Sequence, residues 1–194
     1  ISNVTLSTDS TLSLYSVARD QYGNFVQNIP STWNVTNSIG IVTPSENSDS
    51  TIFNPNLIGS GVIGADTASF QDQTGVITVT GGVLSYLLIR DGANGGGNEV
   101  GDVGITTDEN LVLYAAGYDA DDNYISDVDV SWSVTGNLDN IDPTGVSIEF
   151  SPSTAPTAGT VTINSSGLTG DVTGTITVSV GALDYVVVEG ATGG

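Results

Sequence analysis

Cysteine, methionine, histidine and lysine are all missing from this chain of 194 residues, and its only two basic residues are Arg19 and Arg90. Without cysteine there is no disulfide framework, no thiolate nucleophile and no sulfur-ligated metal site. Without histidine and lysine, general acid–base work falls to carboxylates and tyrosines alone. A carboxylate pair would suit glycoside hydrolysis, yet no pair sits in an apolar setting that would raise one pKa, so no enzyme is expected. The net charge is −20 although charged residues make up only 12 % of the chain, which leaves Ser, Thr, Asn and Gly to form most of the surface. That surface repels phosphate backbones and anionic membranes, which argues against a nucleic-acid partner, and it favours divalent cations. No apolar run approaches the length of a membrane span, so no membrane insertion is expected. No basic-then-apolar segment stands at Ile1, so any export signal is expected to be removed or left out.

What the chain does have is one stretch twice. Leu12-Ser13-Leu14-Tyr15-Ser16-Val17-Ala18-Arg19-Asp20-Gln21-Tyr22-Gly23-Asn24-Phe25-Val26 leads to Trp33-Asn34-Val35-Thr36. Leu111-Val112-Leu113-Tyr114-Ala115-Ala116-Gly117-Tyr118-Asp119-Ala120-Asp121-Asp122-Asn123-Tyr124-Ile125 leads to Trp132-Ser133-Val134-Thr135. Leu12 and Leu111, Asp20 and Asp119, and Trp33 and Trp132 are each 99 residues apart. Alternating apolar residues, a polar turn and a second alternating run predict two strands that share a core. Ser31, Trp33 and Val35 fall on one face of the tryptophan strand. The two tryptophans are therefore expected in the two cores, in preference to serving as sugar-stacking platforms. Asp122 stands where the first copy has Gly23, so the second turn is expected to differ.

The remaining strand candidates recur at the same period, closing with Thr74-Gly75-Val76-Ile77-Thr78-Val79 and Thr173-Gly174-Thr175-Ile176-Thr177-Val178. No helical periodicity exceeds a turn. The fold class predicted is all-β, two tandem Greek-key β-sandwiches, one over residues 1–82 and one over 83–182, with an extra strand in 183–194. Leu-x-Leu, Asp-x-x-Gly-Asn-x-Val and Trp-x-Val at a strict period resemble the bacterial immunoglobulin-like repeats of invasin-, intimin- and adhesin-type surface proteins, over essentially the whole chain. The resemblance implies two Ig-like domains of an extracellular rod, stalk or fibre at the cell surface or in an appendage, without an active site. Lysine–asparagine isopeptide bonds, which lock some such domains, are impossible here.

Asp119, Asp121 and Asn123 place oxygen ligands at alternate positions of one turn, the arrangement that suits calcium, with a plain solvated turn as the alternative. The turn is not an EF-hand, because Tyr124 and Val130 stand where that loop has glycine and glutamate. The acidic loop around Asp91, Glu99 and Asp102 is a lesser candidate. Sequons at Asn3, Asn34 and Asn164 are glycosylation candidates, with chance occurrence in a Ser/Thr-rich chain as the other reading. A last feature concerns assembly. Ile1 aligns with Val100, so the first copy has no counterpart of 84–99, while 183–194 repeats 84–95. Leu183, Tyr185 and Val187 match Leu84, Tyr86 and Leu88 and are expected to form an assembly strand that completes the first domain of another copy. A piece of a longer tandem array would show the same pattern. The expected function is a head-to-tail structural building block whose partners are copies of itself. An adhesin segment that binds a glycan or a surface receptor is the alternative.

Overall fold

The computed structural model describes residues 1–188 and Gly190; Glu189 and 191–194, part of the predicted extra strand, lie outside the described residues. The described residues form β-strands, turns and loops and no helix. The first repeat carries β1 (Val4–Ser7), β2 (Leu12–Tyr15), β3 (Val17–Arg19), β4 (Phe25–Asn28), β5 (Thr32–Val35), β6 (Gly40–Thr43), β7 (Ser50–Pro55), β8 (Gly59–Gly61), β9 (Ile63–Asp66), β10 (Gln71–Gln73) and β11 (Ile77–Thr80). The second carries β12 (Tyr86–Arg90), β13 (Val103–Thr106), β14 (Leu111–Tyr118), β15 (Tyr124–Asp127), β16 (Val130–Val134), β17 (Thr144–Gly145), β18 (Ser147–Phe150), β19 (Thr157–Gly159), β20 (Val161–Asn164), β21 (Asp171–Val172) and β22 (Ile176–Ser179).

In the first repeat β2, β7 and β6 form one sheet. The other is laid out as β1, β11 and β8, continuing as β10, β9 and β5 where the chain passes Val62 and 74–76. Strand β1 runs parallel to β11, pairing Val4 with Ile77 and Leu6 with Val79. The chain changes sheets between β2 and β5, between β5 and β6, and between β7 and β8, which is the Greek-key order of an Ig-like sandwich. Leu14 and Phe53 from one sheet meet Trp33, Ile63, Ile77 and Val79 from the other in a single buried cluster. These are the alternate residues of each strand, because a strand's side chains point to opposite faces in turn.

The second repeat follows the same plan. Strand β13 runs parallel to β22, β17, β16, β20 and β21 form a sheet, and Trp132 lies opposite Ile163 across the β16–β20 ladder. Here β12, which has no counterpart in 1–82, pairs with β14 and sends Leu87 and Ile89 into the core at 1 % and 0 % exposure. The protein is thus two tandem Ig-like sandwiches, as the repeats predict.

Both tryptophans are buried, and each indole N–H donates to a backbone carbonyl, Trp33 to Ser48 at 2.9 Å and Trp132 to Gly145 at 2.8 Å. By compactness the chain divides into a first unit of 1–86 with 117–125 and a second of 87–116 with 126–194. The Asp119–Asn123 turn thus belongs to the first unit.

Candidate functional site

Three features of the first unit bear on function: an open cleft and two copies of one turn. The cleft has a volume of about 520 Å³ and is bordered by Leu14, Ser16, Ala18, Ile29, Trp33 and Phe70 among others. Its lining comes from the strand pair β2/β3 on one side and from β9 and β10 on the other. In the second unit, the corresponding edge is the one that β12 covers. There Leu87 N–H donates to the Thr169 carbonyl at 2.9 Å and Ile89 N–H to Asp171 Oδ2 at 2.7 Å. Asp72, 99 residues before Asp171, borders the cleft. Ser16 is half-buried where its counterpart Ala115 is fully buried.

Within β12 the phase of burial is unambiguous. Leu87 and Ile89 enter the core while Tyr86 and Leu88 are half-buried on the other face. Along 183–188, by contrast, Leu183, Tyr185, Val186, Val187 and Val188 are all exposed, between 62 % and 96 %.

The two turns share one internal construction, and the expected difference at Asp122 does not arise. Asp20 N–H donates to the Asn24 carbonyl at 3.0 Å and Asp119 N–H to the Asn123 carbonyl at 3.0 Å. Asp20 Oδ1 accepts from Tyr22 N and Asn24 N, both at 2.9 Å. Asp119 Oδ1 accepts from Asp121 N at 3.0 Å and Asn123 N at 2.9 Å. Asp122 adopts φ 67° where Gly23 has 84°. Aspartate tolerates the left-handed region because its short polar side chain finds a partner nearby, and Asp122 Oδ1 accepts from the Tyr86 hydroxyl at 2.8 Å. Burial first, then that carboxylate, pushes the Tyr86 hydroxyl up to about 12. Tyr86 also stacks on Tyr118 at 5.4 Å between ring centres, and Tyr124 meets Tyr118 edge-on at 5.9 Å.

The environments of the two turns differ. Asp20 and Asn24 are exposed. Asp119 is 0 % and Asn123 6 % exposed. Asp119 Oδ2 accepts from Thr8 Oγ1 at 2.8 Å and from Gly82 N at 3.0 Å. Asn123 Oδ1 accepts from Ile58 N at 3.2 Å, and its Nδ2 donates to the Asn56 carbonyl at 3.2 Å. Burial alone would raise the Asp119 pKa, but the hydrogen bonds from Gly82, Asn123 and Thr8 together hold it below the usual carboxylate value.

Of the calcium candidates, Asp121 is exposed, while the oxygens of Asp119 are met by protein donors. Among the described residues no group of three or more His, Cys, Asp or Glu is arranged to hold a metal ion. A calcium ion at Asp119 has to replace the Thr8 and Gly82 donors. Calorimetric titration of Ca²⁺ into chelator-treated protein, with Asp121→Ala as control, decides the matter. Neither heat nor a change in Tm at millimolar Ca²⁺ would leave the turn to its hydrogen bonds.

The three sequon asparagines are exposed. Asn3 Oδ1 accepts from Val76 N at 3.0 Å, and Asn34 Nδ2, the atom a glycan would occupy, donates to Asp66 Oδ2 at 2.7 Å. Asn164 borders a shallow depression with Asp129, Ser131 and Thr144. In the lesser acidic loop, Asp91 accepts from Asn98 N at 2.5 Å and holds its own loop, while Asp102 accepts from Thr175 N at 2.7 Å and ties the start of β13 to the start of β22.

No protein-family model matches the chain, and no curated protein sequence matches it. Among solved structures it is similar to domains 5-6 of the S-layer protein SbsC, with 14 % identity and a TM-score of 0.34 over 94 % of this chain and 95 % of that one. It is also similar to the C-terminal 282-residue fragment of intimin, solved in complex with the intimin-binding domain of the translocated intimin receptor. There the identity is 12 % and the TM-score 0.32, over 90 % of this chain and 61 % of that one. The four N-terminal Ig domains of Dscam1 isoform 7.44 match with 10 % identity and a TM-score of 0.31, over 93 % of this chain and 43 % of that one.

Proposed function

We propose that this protein is an extracellular, non-catalytic structural module that joins head to tail by strand donation, the segment after Ala182 of one copy entering the cleft of another. The observation that carries the reading is the contrast between the two sandwiches. The β2/β3 edge borders an open apolar cleft, while the equivalent β14 edge is covered by β12. An exposed segment of the same chain matches β12 position for position at a distance of 99, with Tyr185 for Tyr86 and Val186, Val187 and Val188 for Leu87, Leu88 and Ile89. An uncovered strand edge with an apolar slot beside it is a template for strand addition.

On this reading the donated segment takes the phase of β12. Val186 and Val188 follow Leu87 and Ile89, while Tyr185 and Val187 follow the half-buried Tyr86 and Leu88. Burying two valines contributes roughly 3–6 kcal/mol before the segment's ordering cost, an upper bound because the free segment is not fully extended. On the same reading Asp72, at the border of the cleft, accepts a donor-strand N–H as Asp171 accepts that of Ile89. Such a contact joins two different surfaces, and repeated without closing it generates a filament. The cysteine-free, acidic, Ser/Thr/Asn-rich surface and the likeness to bacterial Ig-like repeats support a place at the cell surface or in an appendage.

Sedimentation and electron micrographs of the purified chain test the reading. The expected result is concentration-dependent association of the intact chain, lost in the Val186→Asp/Val188→Asp variant. That variant should still bind a synthetic peptide of residues 183–194 in its open cleft. An intact chain that stays monomeric at high concentration, with no peptide binding, overturns the proposal. The exposed aromatic side chains Tyr22, Phe25 and Phe70, at 81 %, 62 % and 76 % exposure, favour the second reading, an adhesin that binds a glycan or receptor. A glycan-array screen of the same variant tests that alternative.

A further inference from the structure

The exposed Asp20–Asn24 turn has a buried twin, and what buries the twin is itself repeated. Asp119 Oδ2 receives Thr8 Oγ1 and Gly82 N. Thr8 and Gly82 have counterparts in Thr107 and Gly181, each 99 residues later. The supporting geometry recurs as well: Val83 N donates to Asp9 Oδ2 at 2.6 Å, and Ala182 N donates to Asp108 Oδ2 at 2.6 Å. One bond differs. Where Gly82 N donates to Asp119, Gly181 N donates instead to Thr107 Oγ1 at 2.9 Å. Thr107 and Gly181 thus satisfy each other in the arrangement that, at Thr8 and Gly82, a carboxylate has entered.

Apolar exposure on both sides points the same way. Ile125, half-buried in the first unit, lies against Gly81, where an added Cβ would meet Ile125 Cδ1. The counterparts of these two residues, Val26 and Val180, are 56 % and 71 % exposed. Phe25, the counterpart of Tyr124, is 62 % exposed beside Val26.

We propose that the Asp20–Asn24 turn is a self-recognition site, whose Asp20 Oδ2 accepts from Thr107 Oγ1 and Gly181 N of a second copy of this chain. The inference rests on the head-to-tail reading and adds to it a contact separate from the donated strand. A charge-assisted bond to a carboxylate is stronger than the hydroxyl–amide bond it replaces, so Gly181 N exchanges its partner at a gain. The copy is not perfect on the asparagine side. Ile58, whose N–H serves Asn123, corresponds to Pro156, which follows the one-residue-shorter spacing of β19 and has no N–H. The contact between copies is therefore weaker than the one made by Asp119, as suits an interface that must form from separate chains.

The variant Asp20→Asn isolates this contact. Its Oδ1 still accepts from Tyr22 N and Asn24 N, so the backbone turn is kept; an amide N–H then faces the two donors in place of Oδ2, and within the turn only the exposed bond from Asn24 Nδ2 at 2.9 Å is lost. Thr107→Val removes the hydroxyl on the opposite surface. The expected result is an association at least tenfold weaker for each variant, measured by sedimentation equilibrium at unchanged Tm. Peptide 183–194 should bind the Val186→Asp/Val188→Asp chain equally well with and without Asp20→Asn, since the peptide carries no Thr107. Association as tight as in the unaltered chain overturns the turn contact and leaves strand donation standing. Failure of the unaltered chain to associate, together with failure of the peptide to bind, removes both.

Discussion

Trp132→Ala should destabilise the second unit by roughly 3–5 kcal/mol, the usual cost of removing a large aromatic side chain from a packed core. Trp132 is 4 % exposed and belongs to the same buried cluster as Leu87, Leu113, Val161 and Ile176. Its removal also loses the indole N–H bond to the Gly145 carbonyl, made at 2.8 Å. Trp33→Ala should cost less. Trp33 borders the open cleft, so water can enter the space it leaves and part of its contact surface has no neighbour to lose. Urea titrations followed by circular dichroism, read as two transitions, measure both. A loss below about 1 kcal/mol for Trp132→Ala contradicts its central place in the core.

The second large effect is expected at Asp119. Asp119→Ala should destabilise the first unit by about 3 kcal/mol, because it leaves buried donors without acceptors. Thr8 is 4 % exposed and Asn123 6 % exposed, so neither recovers its lost bond from water. Asp20→Ala removes the same internal bonds from an exposed turn, and water replaces them, so its effect on stability is expected to be much smaller. The pH dependence has a definite sign. The folded state holds the Asp119 pKa below its usual value, so its contribution is full above about pH 4 and is lost as the pH falls through the folded value. The acid-induced decline in the first unit's Tm should therefore flatten in Asp119→Ala. In the second unit, hydrogen bonds from Ser153 and Thr154 hold Asp139 down at about 2, so its loss falls between about pH 4 and pH 2.

The sequence by itself determined the architecture. Alternation of apolar residues with a period of two gives strands, the constant spacing of 99 gives two sandwiches, and Trp33 and Trp132 mark their cores. Local chemistry also determined the shape of the turns, since an aspartate four residues before an asparagine closes the same loop in both copies.

Two decisions belonged to the tertiary structure. In Leu84-Ser85-Tyr86-Leu87-Leu88-Ile89 both strand phases are apolar, so alternation cannot say which one turns inward. The packing of β12 on β14 selects Leu87 and Ile89, and with them Val186 and Val188 as the pair to test. Likewise, nothing local separates Asp20 from Asp119. One is solvated and the other buried because Thr8 and Gly82, 111 and 37 residues away in the chain, reach only the second. Hydrogen bonds between residues that distant depend on where the backbone has already been placed, and no window of sequence contains both partners.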